Sequence, residues 1–319
     1  MIDVTALGEL LIDFNMDGVN EDGYPVMSAH PGGAPGNYLA ALAKRGLRTS
    51  YITKVGDDAF GAMLKETIRK VGIDVSGIVT APDTFTTLAF VTLDEQGDRE
   101  FSFARKPGAD TRLAPEEIPA ELIENSRVFH FGTLSLTDEP ARSATHKAVE
   151  LARKAGCLIS VDPNLRLPLW KKPEDAKEQM LWAISQADVL KISDDEVEFL
   201  FGMTPEEGAE HLFRTYSNSL IFVTLGKDGA YFKNRNACGH VPNFEGIQAI
   251  DTCGAGDIFG GSAMAALLKT GKKPEDLNKD ELTAITSYAC AAASLSTTRH
   301  GGIGSVPETA DVEKLLAQR

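Results

Sequence analysis

Short apolar runs that read as buried strands alternate with helical patterns along most of this chain, and that rhythm restricts the fold more than any other feature. VTALGELLI, TSYITKVG, RVFHFG, CLISVD, DVLKIS and SLIFVTLG have the length and the β-branched or aromatic content of strands. PGNYLAALAKRG (stopped by Gly46), AFGAMLKETIRKVG, RSATHKAVELARKAG and DAKEQMLWAISQ carry helical spacing between them. Strands that are apolar on both faces need cover on both. The expected fold is therefore α/β: a doubly wound, mostly parallel sheet flanked by helices. At 319 residues and 43% hydrophobic the chain is ample for one such domain over 1–319, and no repeat, low-complexity tract or linker divides it.

One region departs from the rhythm. TTLAFVTLDEQGDREFSFAR alternates with period two around Gln96-Gly97, which predicts a β-hairpin, and Phe101, Phe103 and Arg105 fall on one face of its second strand. With the extended piece near YPVMSAH it is expected to form a small β-sheet lid from segments near 13–33 and 84–107. Such a ribbon is marginal alone. A ligand cleft beneath it or a homodimer through the lid would supply the missing cover.

The formal net charge of −14 repels nucleic acid and anionic lipid, so neither is an expected partner. No basic leader precedes an apolar run, no stretch has the length of a membrane span, and Cys157, Cys238, Cys253 and Cys290 form no C-x-x-C pair. A reduced, cytoplasmic protein is the expectation. The six histidines have no metal-ligand spacing and read as structural or surface, His130 as a core residue of its strand.

The segment DTCGAGDIFGG, Asp251 to Gly261, carries the chemistry. Beyond Gly256 the pattern is helical as far as Gly271, so the small residues sit at a helix N-terminus, where free N–H groups and the dipole favour an anion. Small side chains let a phosphate reach those amides. Asp257 in the first turn would lie beside that anion. It reads either as a helix-start residue or as the group accepting a proton from an attacking hydroxyl, a task an ordinary carboxylate performs in phosphoryl transfer. Neither G-x-x-x-x-G-K-[ST] nor an early G-x-G-x-x-G is present, which argues against P-loop enzymes and nicotinamide-dependent dehydrogenases. Asp13, read as following the first strand, falls where open α/β sheets bind ligands. Arg105, taken alone, reads as a surface residue.

DTCGAGDIFGG resembles the D-T-x-G-A-G-D signature of the ribokinase-like (PfkB) carbohydrate kinases, and PGGAPGNYLAALAKRG is similar to that family's N-terminal signature. GELLIDF, KVGDDAFG, TLAFVTLDEQGDREFSF, FHFGTLSLTDEP, VDPNLRLPLW and KISDDEVEFL extend the resemblance, toward the fructokinase branch, from near residue 4 to near residue 307. The resemblance implies transfer of the ATP γ-phosphoryl group to a free sugar, fructose first, with Mg²⁺. It implies Asp257 as catalytic base and Gly254, Ala255 and Gly256 as the anion hole. Asp13, Gly33 and Asn37 would hydrogen-bond the sugar, with Gly32 allowing close approach, and Phe103 and Arg105 would cover it from the lid. Asn164 and Arg166 would approach the phosphates. Lys191, Ser193, Thr224, Gly226 and Gly229 would surround the nucleotide, and Glu196 would organise Mg²⁺ through water; Ser193 stands where the family usually has Asn. STTRHGGIGSVP resembles the family's monovalent-cation segment, implying K⁺ held by oxygens of Asp251, Cys253, Ser296, Arg299, Gly301 and Ser305. Ribose, 2-keto-3-deoxygluconate or a nucleoside as acceptor, and a non-catalytic sugar sensor on the same scaffold, stay open at this point.

Overall fold

A computed structural model of the protein describes residues 1–93 and 99–318. Among the described residues the strands are β1 (Ile2–Leu7), β2 (Leu11–Val19), β3 (Pro25–Gly32), β4 (Thr49–Gly56), β5 (Ile78–Ala81), β6 (Leu88–Leu93), β7 (Arg99–Ala104), β8 (Ser126–Gly132), β9 (Leu158–Asp162), β10 (Val189–Ser193), β11 (Leu220–Thr224), β12 (Ala230–Asn234) and β13 (Cys238–Val241). The helices are α1 (Ala34–Ala43), α2 (Ala59–Val71), α3 (Ala120–Glu124), α4 (Ala141–Ala155), α5 (Pro173–Gln186), α6 (Asp194–Phe201), α7 (Pro205–Tyr216), α8 (Ala255–Thr270), α9 (Lys279–Ser296) and α10 (Thr309–Leu316).

The large sheet has nine strands in the order β13-β12-β11-β10-β9-β8-β1-β4-β5. All neighbours from β11 to β5 pair in parallel, and only β12 runs the other way. Two buried clusters lie on its two faces. One joins α1, α2, α8 and α9 to the sheet around Tyr38, Tyr51 and Phe222, and the other packs α4, α5, α6 and α7 on Phe129, Phe131 and Ile159. This is the doubly wound arrangement expected from the alternating pattern. Strand order reverses at β1, which has β4 on one side and β8 on the other, so a crevice opens at the carboxyl ends of the strands there.

Local signals account for the helix ends. Asp58 caps α2 by accepting from Gly61 N at 2.8 Å, and Gly72 closes it at φ 93°. Ser193, Thr204 and Asn278 open α6, α7 and α9 with capping boxes, and α8 closes at Gly271, as its pattern predicts.

The small sheet, ordered β3-β2-β6-β7, draws on the two segments expected for it. Strand β2 pairs antiparallel with β3 and parallel with β6, and β6 pairs antiparallel with β7. The Gln96-Gly97 turn lies outside the described residues, as does the Phe101 side chain.

One strand differs from expectation. VTALGELLI is not continuous: β1 ends at Leu7 and β2 starts at Leu11, in a different sheet. Gly8 adopts φ 155° with Pro35 Cγ 2.6 Å from where its Cβ would stand, so the close approach of α1 demands glycine there. Glu9 then holds the corner, its Oε1 accepting from Ala34 N at 2.9 Å while Tyr51 Oη donates to its carbonyl. Asp13 consequently sits inside a strand of the small sheet, not at the end of a central strand.

Candidate active site

Helix α8 begins at the crevice. Its N-cap is Gly254 at φ 75°, a left-handed conformation suited to glycine, and a Cβ there would stand 2.9 Å from Gly302 Cα and 3.0 Å from Asn37 Nδ2. Ala255, Gly256 and Asp257 follow as the first turn, whose N–H groups lack intrahelical acceptors. The small residues therefore stand at a helix N-terminus with little side-chain bulk.

Asp257 is held from α1, where Asn37 Nδ2 donates to its Oδ2 at 2.8 Å. Burial raises the Asp257 pKa, opposed by that hydrogen bond and by the charges of Lys191 and Arg166, and reinforced by Glu196. Asn37 is itself 5% exposed, and its Oδ1 has no hydrogen-bond partner among the described residues. Gly33 caps α1 at φ 114°, and a Cβ on it would meet Glu9 O at 2.3 Å. A Cβ on Gly32 would strike Asp13 Oδ2 at 2.0 Å, so glycine at this position lets the carboxylate approach the backbone just before α1. Burial pushes Asp13 up to about 7; Arg166 pulls it back, and Asp257 and Asp251 add to the rise. Asp13, Asn37, Asp257 and Arg166, scattered in sequence, therefore share one electrostatic neighbourhood. Phe103, opposite Ala89 on β7, belongs to the face of the small sheet that carries Asp13.

The carboxyl ends of β9, β10 and β11 form the other wall. Asn164 follows β9 at φ 51°, and Arg166 Nη1 donates to Leu165 O at 2.9 Å. Lys191 Nζ lies 3.0 Å and 3.2 Å from the two Asp162 oxygens, and a Cβ on Gly256 would come within 3.0 Å of it. Burial opposes the Lys191 charge, but Asp162, Glu196 and Asp257 overcome it and hold the ammonium pKa above its ordinary value. Ser193 Oγ accepts from Glu196 N at 3.2 Å, while the two Glu196 oxygens accept from Ser193 N at 2.8 Å and Leu165 N at 2.7 Å. Glu196 thereby ties the start of α6 to the VDPNLR loop. Thr224 ends β11, and Gly226 and Gly229, at φ 54° and 98°, turn the chain into β12.

In the tail, Asp251 is 2% exposed; its Oδ1 accepts from Cys253 N at 2.8 Å and its Oδ2 from Gly301 N at 2.9 Å. Asp251 N bonds Thr297 O at 3.0 Å, which brings the α9 exit against the GAGD segment. Ser296 O accepts from Arg299 N, and Ser305 Oγ donates to Gly302 O. The six residues expected around K⁺ therefore lie on two adjoining segments, one at Asp251–Cys253 and one running from the end of α9 to Ser305. No group of three or more His, Cys, Asp or Glu residues suited to a metal occurs among the described residues.

Arg105 is a correction. Expected to cover the sugar from the hairpin, or to be a surface residue when read alone, it lies just past β7 and is 3% exposed. Its Nε donates to Asp110 Oδ2 at 2.8 Å, Nη1 to Thr137 Oγ1 at 2.8 Å and Nη2 to Leu134 O at 2.9 Å. The guanidinium anchors the root of the small sheet to the turn after β8. His130 is a satisfied core residue, as expected: its ring stacks on Tyr38 at 3.6 Å, both bond Ser160 Oγ, and burial lowers its pKa to about 3. Sequence reading missed Asp162 as the partner of Lys191, although it lies in the VDPNLR motif at the end of a predicted strand. It also missed Glu9, whose partner Ala34 is distant in sequence, and Asp110, which pairs with Arg105 five residues earlier across the turn after β7.

A twofold-wound sheet, a glycine-walled helix start and a buried aspartate beside it define a sugar-kinase framework. The chain belongs to the pfkB family of carbohydrate kinases, whose pattern matches residues 1–309. It is 40% identical over 317 residues to fructokinase-1 of Zea mays, covering 98% of this chain and 97% of that protein. Fructokinase of Xylella fastidiosa, solved with bound ATP, superposes with a TM-score of 0.91 at 28% identity over 99% of this chain and 98% of that one. Fructokinase of Vibrio cholerae O395, in its fructose-, ADP- and calcium-bound form, gives 0.88 at 30% identity over 99% of both chains.

Proposed function

We propose that this chain is a fructokinase: it transfers the γ-phosphoryl group of ATP to the 6-hydroxyl of free fructose, giving fructose 6-phosphate and ADP. The observation that carries this reading is Asp257 in the first turn of α8, held by Asn37 at 2.8 Å beside the small-residue cradle at Gly254–Gly256. The sugar hydroxyl approaches Asp257, which orients it and takes its proton as the bond to phosphorus forms. Burial, which raises the basicity of this carboxyl, favours that transfer. The amides at Gly254, Ala255 and Gly256 stabilise charge on the transferring group, with Arg166 and the Lys191 ammonium adding positive charge from the opposite wall. Asp13, Gly33 and Asn37 hold the sugar hydroxyls, Gly32 permits the approach of Asp13, and Phe103 covers the ring. Asn164, Ser193, Thr224, Gly226 and Gly229 line the nucleotide.

The donor set fits Mg²⁺ bound chiefly by phosphates and water: Glu196 presents a carboxylate at that wall, and no dedicated protein cage is required. When bound, Mg²⁺ neutralises phosphate charge. The loops at Asp251 and Gly301 fit K⁺ in the same sense, through backbone oxygens of Cys253, Ser296, Arg299 and neighbours, with Ser305 adjoining. The small sheet acts as a lid whose closure excludes water from the donor. Met16, Val19 and Val26 on that sheet and Tyr24 in the turn beside it, between 41% and 67% exposed, support pairing of two lids in a homodimer. No helix among the described residues is long and apolar enough to cross a membrane; use of ATP supports a cytoplasmic setting.

A coupled assay of ADP release against a panel of free sugars, with and without K⁺, tests the reading. Fructose should give the highest kcat/KM. Faster turnover of ribose, 2-keto-3-deoxygluconate or a nucleoside would reassign the acceptor, and sugar binding without ADP release would favour the sensor.

A further inference from the structure

We infer that Asn15, two residues beyond Asp13 on β2, reads a sugar hydroxyl at the end of the substrate remote from the phosphorylated one. The inference deepens the fructokinase reading of this site and rests on it. Side chains alternate along a strand, so Asp13 and Asn15 face the same way, about 7 Å apart. Asn15 Oδ1 is buried and has no hydrogen-bond partner among the described residues.

Its neighbours explain why. Directly across on β3 is Ser28, whose hydroxyl donates to Asp17 Oδ1 at 3.0 Å, so its proton is already committed, and lies 2.8 Å from His30 Nε2. Beside Asn15 on β6 is Val91, with Ala89 next on the same face and Phe103 beyond it, none of which has a side-chain donor. A buried amide oxygen left without a donor is destabilising, and a ligand hydroxyl that donates to it relieves that cost.

Position then selects the hydroxyl. Asp257, tied to Asn37, marks the reacting end, and Asp13 lies close enough for the two carboxylates to oppose each other's ionisation. Asn15 is one strand repeat further out. In a ketohexose phosphorylated at O6, the group at that distance is the C1 hydroxymethyl, which an aldopentose lacks. The apolar face of Ala89, Val91 and Phe103 meets the C–H side of the ring.

A cycle of two proteins and two substrates tests this: wild type and Asn15→Ala, each with fructose and 1-deoxy-D-fructose. Removing the 1-hydroxyl should lower wild-type kcat/KM by about 3- to 10-fold. Asn15→Ala should lose a similar factor on fructose, through KM, with the KM for MgATP unchanged. On 1-deoxy-D-fructose it should match wild type. Asn15→Val, which preserves strand propensity, should repeat the result. Losses that multiply, an unchanged fructose KM, or a change confined to subunit association in sedimentation equilibrium would overturn the assignment. Wild type inert toward fructose would remove the kinase reading and this inference together, whereas active wild type with multiplying losses removes Asn15 alone.

Discussion

Arg105 and Lys191 are both buried cations paired with an aspartate, yet their surroundings give them different work. Arg105 binds Asp110, Thr137 and Leu134 through all three of its nitrogens, at the junction where the small sheet joins the central one. Among the described residues Lys191 Nζ hydrogen-bonds the two Asp162 oxygens, abuts Gly256 and carries its charge toward Asp257 and Glu196. Burial of a charge does not by itself mark function. A guanidinium enclosed by protein partners builds a joint, whereas an ammonium left facing the start of α8 can act on what binds there.

Substitution should separate the two. Arg105→Met leaves Asp110 buried without its cation and should cost about 3–5 kcal/mol of unfolding free energy in urea, with kcat per folded molecule nearly unchanged. A tenfold fall in kcat at full stability would break the distinction. Lys191→Met should lower kcat by about 100-fold, on the scale of losing one donor that stabilises transition-state charge. Because it also strands Asp162, the double variant Lys191→Met with Asp162→Asn belongs beside it. Stability should return in the double variant while kcat stays low; recovery of kcat would reduce Lys191 to a counter-ion for Asp162.

The smallest effect concerns pH. Burial raises Asp13 from its ordinary 3.8 to about 7. Between about pH 4 and pH 7 the folded state therefore holds a proton that the unfolded chain has released, and stability falls as pH rises through that window. Asp13→Asn should be more stable than wild type above about pH 7, by a few kcal/mol at most, with the gain vanishing near pH 4. Denaturation curves at both ends check the sign, and a constant difference would contradict it.

These contrasts also show what the sequence could reveal. The GAGD helix start was legible because its signals are local: a left-handed Gly254, small residues, then an apolar helix running to Gly271. The lid hairpin was legible from period-two alternation. The break at Gly8 was not, since apolar residues continue on both sides and only the approach of Pro35 forces the corner. Strands β12 and β13 also escaped notice; they are short and half polar. The Lys191–Asp162 pair and the bonds from Arg105 to Leu134 and Thr137 depend on partners that tertiary packing supplies, so a surface position for Arg105 was the natural but incorrect reading.

The proposed reaction depends most directly on Asp257 as the proton acceptor. Steady-state kinetics of Asp257→Asn, with its fold checked by circular dichroism, should show kcat reduced by on the order of 10²–10⁴ and the fructose KM little changed. Turnover close to wild type would contradict it.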